Sequence, residues 1–430
     1  MRDVYIVDGN RTPFVKAAGK PNPLSASDLA LEAIKPLLAR QNFTPADINE
    51  VIMGCMVPSY DEANIARIIA LRSGCGDNVM GWTVQRNCAS GLQALDCAFG
   101  DIASGRHDLV MAGGTEAMSR APLIFNDNMT NWFSSFSMAK TSKEKLKMLT
   151  KFRPNFLSPV IALLHGLSDP IVNCSMGQTA EKLAYKFNIS REELDIYSAQ
   201  SHAKALAGTN AGHFNDEMTP LFDWHGGVIK SDNGIRSDST VEKLAKLKAA
   251  FEKPFGLITP GNSSQISDGA AVLLLASEEA VKKYGLKPLA RVKSFSWAAL
   301  DPSIMGLGPA HAIAGLLSKN GMSVNDIDFF EINEAFAAQM LSCLLALDSN
   351  DYCQNVLGLN KKIGAIPTDR LNVDGGAIAI GHPVGASGAR IVLHLLHTLQ
   401  RNNAKFGVAS LCIGGGQGGS VLIERLDKGV

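Results

Sequence analysis

Neither sign of charge is in excess: 41 Lys and Arg balance 41 Asp and Glu. That balance excludes a general field for holding DNA, RNA or an anionic membrane, so any anionic ligand has to be met locally. Cysteine occurs eight times, but never as a C-x-x-C pair or beside histidine. The spacing argues against a zinc site or a disulfide framework and predicts no metal. Long uncharged apolar runs are also missing, which excludes a spanning helix. Met1-Arg2-Asp3 runs straight into Val4-Tyr5-Ile6-Val7, a predicted first strand. No leader is expected there, and a reducing, cytoplasmic setting fits.

At 430 residues the chain exceeds what one core supports, so two or three cooperating lobes are expected. The first 120 residues alternate strand and helix patterns, which predicts an α/β fold with a largely parallel sheet. Strands are expected at 4–7, 51–56 and 108–112. Helices are expected at 29–40, after a capping Asp28, and at 63–73, stopping at Gly74. Leu92, Leu95, Phe99 and Ile102 form a helical apolar stripe directly after Cys88.

The last 140 residues repeat this grammar. Asp326-Ile327-Asp328-Phe329-Phe330 echoes Asp47-Ile48-Asn49-Glu50-Val51, and a helix at 386–400 echoes the one after Cys88, so a duplication is inferred. Residues 122–256 break the pattern and predict a separate lobe. Within it Lys140, Lys143, Lys145, Lys147, Lys151 and Arg153 alternate with Met148, Leu149, Phe152 and Phe156. Such a run is more often a solvated helix face. The alternative is a docking site for a partner subunit or a membrane surface.

Three positions carry candidate chemistry. Cys88, in Asn87-Cys88-Ala89-Ser90-Gly91, is expected at a helix N-terminus, where free N–H groups and the helix dipole lower a thiol pKa. His382 follows Asp374-Gly375-Gly376-Ala377 and precedes Pro383, so it is expected on a tight loop where it can take a proton from a thiol. Cys412 opens into Gly414-Gly415-Gly416, glycines that allow close backbone approach to a ligand. Taken singly, a buried structural cysteine or a turn-capping histidine would be the ordinary explanation.

Together with Asn333-Glu334-Ala335-Phe336-Ala337 and Gly9-Asn10-Arg11-Thr12-Pro13-Phe14, these segments stand in an order that resembles the thiolase family along essentially the whole chain. The resemblance implies a thiolase-like duplicated five-layer αβαβα fold with an inserted loop lobe. Residues 1–121 plus 257–285 would form the N-terminal half, 122–256 the loop lobe that binds coenzyme A, and 286–430 the C-terminal half. It implies Cys88 as acyl-thioester nucleophile, His382 as base and oxyanion donor, and Cys412 as acid/base. Asn333 would hold an oxyanion water and Gly414 would donate a backbone N–H. Asn333 could equally be an N-cap residue, since a helix is expected to follow it. Met176, Arg236 and Ser264 would border coenzyme A, which with acyl-CoA is a substrate and not a resident cofactor.

The implied activity is CoA-dependent cleavage of 3-ketoacyl-CoA in fatty-acid β-oxidation; the alternative is acetyl-CoA C-acetyltransferase. Ser175 stands where many short-chain thiolases have histidine, and 125–174 and 349–370 are long. In these the chain is similar to the thiolase subunit of β-oxidation complexes, although those relatives often read H-E-A-F-A and Cys412-Ile413-Gly414-Gly415-Gly416 is closer to the biosynthetic form. A homodimer or higher homo-oligomer and a hydratase/dehydrogenase partner subunit are expected. Nucleic acid is not.

Overall fold

The computed structural model describes residues 2–17, 19–222 and 227–426. Its first half runs β1 (Tyr5–Arg11), α1 (Ala26–Ala39), β2 (Glu50–Gly54), α2 (Ile65–Arg72), β3 (Met80–Val84), α3 (Ser90–Ala103) and β4 (Leu109–Ala117). Helix α1 starts earlier than expected because Ser25, not Asp28, is its cap. The Ser25 hydroxyl accepts from Asp28 N, and the Asp28 carboxylate accepts from Ser25 N, a reciprocal box. Asn64 caps α2. Leu92, Leu95 and Ile102 of α3 are buried, as their spacing requires.

The middle of the chain supplies α4 (Asp127–Met138), α5 (Ser142–Leu149), α6 (Met176–Lys186) and α7 (Arg191–Asn210). It returns to the core in β5 (Ser267–Ala276). The second half follows as β6 (Ala290–Ala299), α8 (Gly308–Asn320), β7 (Phe329–Ile332), α9 (Ala337–Leu347), α10 (Val384–Arg401), β8 (Phe406–Ile413) and β9 (Gln417–Arg425). The echo between the halves is structural. Thr44 with Asp47 and Ser323 with Asp326 form matching boxed turns, one leading into β2 and the other into β7.

The strands pair in the order β7-β8-β9-β6-β1-β5-β4-β2-β3. Only β2–β3, β2–β4 and β7–β8 are parallel; the sheet is mixed and not largely parallel as expected. The reason is local at β8–β9, whose connection is the short turn Gly414-Gly415-Gly416, a hairpin that allows only antiparallel pairing. The two halves of the sheet meet at β1 and β6 through just Tyr5–Arg291 and Ile6–Ala290. Helices α1 and α2 cover the first half, α8 and α9 the second, and α3 and α10 pack between them, which makes five layers.

Glycines let the central layer close. A Cβ on Gly114 would lie 1.9 Å from the Gly385 carbonyl oxygen, and one on Gly91 would lie 2.8 Å from the same atom. The start of α10 is thereby pressed onto the start of α3. In the stretch read as a separate lobe, α6 and α7 do not stand apart: Ala180, Ala184 and Leu194 are buried in one cluster with Ala337 and Ala338 of α9.

A buried charge network ties the inserted region to both halves. Arg11 of β1 pairs with Glu217 at 2.7 Å and with Asp232 at 2.8 Å. His394 of α10 contacts Glu217 at 2.9 Å and Asp374 at 3.3 Å, and Arg401 reaches Asp374 at 2.6 Å. Burial opposes charge on His394, but the Glu217 and Asp374 carboxylates outweigh it and push the imidazole up to about 10. His394→Leu should cost about 3–5 kcal/mol, because it removes the cation shared by buried Glu217 and Asp374 and leaves each with less compensating charge, and thermal unfolding measures the loss. The histidine holds its proton more tightly folded than unfolded. Its contribution is whole below about pH 6.5 and disappears as pH rises to about 10, which the Leu variant should not show.

Candidate active site

The turn that carries Cys88 is built by its neighbours. Asn87 takes a left-handed φ of 45°, and Ser90 accepts from Arg86 N at 2.9 Å while donating to the Asn87 carbonyl at 2.7 Å. Cys88 thus stands just ahead of α3, partly accessible. Across the gap, the Asn87 side chain donates to the Gly414 carbonyl at 2.8 Å, and Gly414 N–H points at the Cys88 sulfur. The expected acidic thiol is not found. Burial raises the Cys88 pKa above its ordinary value, although the Gly414 and Cys88 N–H groups pull it back. A base has to assist ionisation.

Cys412 lies inside β8, fully buried. Burial, and next the charge of Cys88, hold its thiol well above the ordinary value, which sets the two sulfurs within electrostatic reach and keeps Cys412 protonated. The turn beyond it needs glycine at Gly416, where φ is 76° and a Cβ would lie only 2.2 Å from the Leu300 carbonyl oxygen. Beside β8, Asn333 N donates to Ser410 O at 2.9 Å. The Asn333 side chain is fully buried, and neither its Oδ1 nor its Nδ2 has a partner among the described residues. It is not a cap: α9 begins four residues later, with Phe336 in the capping position. Two unpaired buried amide atoms suit a site that receives a polar ligand.

His382 sits on the loop between the short helix Ala377–Ile380 and α10, with Gly381 at φ 112°. Its Nδ1 meets Ser387 Oγ at 2.6 Å, and that hydroxyl gives its only proton to the Pro383 carbonyl at 2.8 Å. Nδ1 must then be the protonated nitrogen, leaving Nε2 with a free lone pair. Nε2 is buried and without a partner among the described residues. Burial and the nearby Arg390 lower the imidazole to about 4, so it is neutral at pH 7.

Two loops join these parts. Ser264 N donates to Ala335 O at 2.9 Å, and Gln265 O accepts from His382 N at 3.2 Å. Ser264 therefore lies between the Asn333 and His382 loops. Met176 begins α6 under the Ser175 cap, and a Cβ on Gly414 would be 3.3 Å from its Sδ. Cys88, Gly414, Cys412, Asn333, His382, Met176 and Ser264 are thus one assembly. Arg236 is not in it. It is exposed, its backbone N–H donating to His202 Nδ1 at 3.1 Å.

Sequence reasoning missed the carboxylates that hold these loops. Glu116, buried at the end of β4, accepts from Met56 N at 2.9 Å, Val57 N at 3.0 Å and Gly385 N at 3.0 Å. Glu334 accepts from Ser201 at 2.6 Å, Tyr197 at 3.1 Å and Asn372 at 2.9 Å. A glutamate inside an apolar strand pattern, Gly113-Gly114-Thr115-Glu116-Ala117, was the available signal.

Two family models match the chain. The one described as "Thiolase, N-terminal domain" matches residues 4–279, and "Thiolase, C-terminal domain" matches residues 286–425. The chain belongs to the thiolase family. As a thiolase it is an acyltransferase, and its relatives cover it end to end. It is 37% identical over 429 residues to the rat mitochondrial trifunctional enzyme subunit beta, covering 100% of this chain and 89% of that one. A solved Bacillus anthracis acetyl-CoA acetyltransferase superposes with a TM-score of 0.85 at 37% identity, covering 99% of each chain. Human mitochondrial 3-ketoacyl-CoA thiolase, solved in complex with CoA, gives 0.85 at 37% identity, with 99% of this chain and 98% of that chain covered.

Proposed function

We propose that this thiolase cleaves 3-ketoacyl-CoA with free coenzyme A in fatty-acid β-oxidation. What supports the reading is that the loops carrying two thiols, one buried and held protonated, are joined through Ser264 and Gln265 to the loop of a neutral imidazole whose Nε2 has no partner among the described residues. Cys88 passes its proton to His382 Nε2 and attacks the 3-keto carbon. The C2–C3 bond then breaks, and its electron pair goes to C2 of the departing acetyl-CoA. Cys412, kept protonated by burial, delivers its proton to that carbon. Coenzyme A next gives its thiol proton to the Cys412 thiolate and takes the shortened acyl group from Cys88, whose departing thiolate recovers its proton from His382.

Oxyanions are stabilised by His382, by a water on Asn333 and by the N–H groups of Cys88 and Gly414. Asn333→Ala should lower kcat about 10²- to 10³-fold, as loss of an oxyanion donor does. Because its side chain has no partner among the described residues, the thermal midpoint should stay close to that of the parent; a drop of several degrees would assign it a structural role.

Coenzyme A enters as a substrate beside Met176 and Ser264, with Arg236 at the rim near the nucleotide. Residues 1–121 plus 257–285, 122–256 and 286–430 are read as N-terminal half, CoA-binding loop lobe and C-terminal half. Homodimerisation through β3 is supported by its position at the sheet edge with Met80 54% and Trp82 37% exposed. A monomer in sedimentation velocity would contradict this. The match to a trifunctional enzyme beta subunit supports a hydratase/dehydrogenase partner, and the cytoplasm is the compartment we propose.

The second reading, acetyl-CoA C-acetyltransferase, is favoured by the match to the Bacillus anthracis structure. Rates of CoA-dependent cleavage of acetoacetyl-CoA and 3-ketohexadecanoyl-CoA separate the two. Faster cleavage of the long substrate is expected, and cleavage confined to the short one would overturn the β-oxidation reading.

A further inference from the structure

The end of α10 farthest from His382 borders a cleft of about 820 Å³. Helix α10 has 18 residues and is about 27 Å long at about 1.5 Å per residue, so the cleft lies well away from the catalytic centre. Four segments converge on it: the turn after α7 with His213 and Asp216, the link into β6 with Lys287, the last turn of α10 with His397 and Arg401, and the end of β9 with Arg425. Its volume falls within the range of small-molecule pockets, roughly 300–1,000 Å³. None of the residues placed in the candidate active site lines it.

The wall is cationic and its cations are held in place. Arg401 spends Nη2 on Asp374 Oδ2 at 2.6 Å, and its Nε and Nη1 have no partner among the described residues. His213 meets Asp374 Oδ1 through Nδ1 at 2.7 Å, which leaves Nε2 for a ligand. Arg425 donates from Nε to the Ala404 carbonyl at 2.6 Å, so its guanidinium is anchored. Lys287 is exposed and in no ion pair among the described residues. Against these three permanent cations the wall carries a single exposed carboxylate, Asp216. The chain as a whole is neutral, so this is a local positive field. Leu289 and Leu426 add an apolar strip beside the cations, tied together by Leu426 N donating to Leu289 O at 3.3 Å.

We infer that this cleft binds a diphosphate-bearing anion, with Lys287, Arg401 and Arg425 on the phosphate oxygens. The number and kind of cations select that class. A single carboxylate would leave most of the positive charge uncompensated, whereas each guanidinium fork matches two phosphate oxygens and the lysine ammonium supplies a point charge for a third. The volume leaves room beside the phosphates for a ring on Leu289 and Leu426, so a nucleotide and an inorganic diphosphate would share one anchor. The cleft also touches the catalytic loop at one remove. Asp374, which His213 and Arg401 hold from the cleft side, opens the run Asp374-Gly375-Gly376-Ala377 that leads to His382. A ligand here would engage two of the groups that fix the start of that loop.

Calorimetric titration of the full-length protein, free of coenzyme A, with ADP and separately with inorganic pyrophosphate tests this. Saturable binding of at least one is expected, weakening several-fold as salt is raised. Lys287→Glu and Arg425→Gln should each weaken it about tenfold or more, the scale of a lost charge-assisted hydrogen bond. Lys287 is exposed and unpaired among the described residues, so Lys287→Glu should keep the parent's thermal midpoint. Tighter binding of ADP would identify a nucleotide and equal binding an inorganic diphosphate, and either, if lost in both variants, supports the site. Binding of neither ligand, or an affinity unchanged in Lys287→Glu and Arg425→Gln, would overturn the inference. So would an affinity lost in Arg236→Glu and kept in Lys287→Glu, because the ligand would then occupy the coenzyme A entrance.

Discussion

Cys88→Ala lowers CoA-dependent cleavage by about 10⁴- to 10⁶-fold, the scale seen when a covalent nucleophile is removed. The loss should appear in kcat with the fold intact, because the neighbouring turn is held by Asn87, Arg86 and Ser90 and not by the thiol. Cys97→Ala is the control. It is another half-buried cysteine with a raised pKa on α3, yet it faces Gln93 and not Gly414, so its loss should change kcat less than about twofold. The same geometry constrains reactivity toward iodoacetamide. Since burial raises the Cys88 pKa, alkylation should keep accelerating with pH beyond the ordinary thiol range of about 8.5, instead of levelling off near neutrality.

His382→Ala should cost about 10²- to 10⁴-fold in kcat, the range for a positioned acid/base group. Its pH behaviour discriminates further. With the imidazole lowered to about 4, the base is unprotonated throughout the neutral range, so kcat/KM of the parent should show no acid limb from His382 between about pH 5 and 8. Once the base is removed, the residual rate depends on spontaneous ionisation of Cys88 and should climb with pH. A parent profile that halves near the ordinary histidine value of about 6.5 would mean that His382 is solvated and is not the buried imidazole described above. Ser387→Ala, which removes the acceptor for Nδ1–H, should lower kcat while leaving KM nearly unchanged.

The candidate residues could be picked out because the chemistry proposed for them is written in short strings: a cysteine before a helix, a histidine before proline, a cysteine before three glycines. The layered α/β architecture was legible from alternating patterns and from the echo between Asp47 and Asp326. What escaped is what depends on long-range packing. The thiol of Cys88 was read as acidic from its place before α3, but burial against the second half of the chain, invisible locally, outweighs the N–H groups. Asn333 could not be told from a cap until α9 was seen to start at Ala337. Strand directions were misjudged because β5 returns only after the long insertion. Glu116 lies 269 residues from its partner Gly385, too far for any local pattern to link them.

Acyl transfer to Cys88 can be observed directly. Mixing the purified protein with 3-ketohexadecanoyl-CoA in the absence of free coenzyme A, then quenching in acid and digesting, should yield a peptide with a tetradecanoyl thioester on Cys88 and one equivalent of acetyl-CoA. Adding coenzyme A before the quench should remove the adduct. An unmodified Cys88 peptide, or the acyl group on Cys412, would contradict the assignment of Cys88 as the nucleophile.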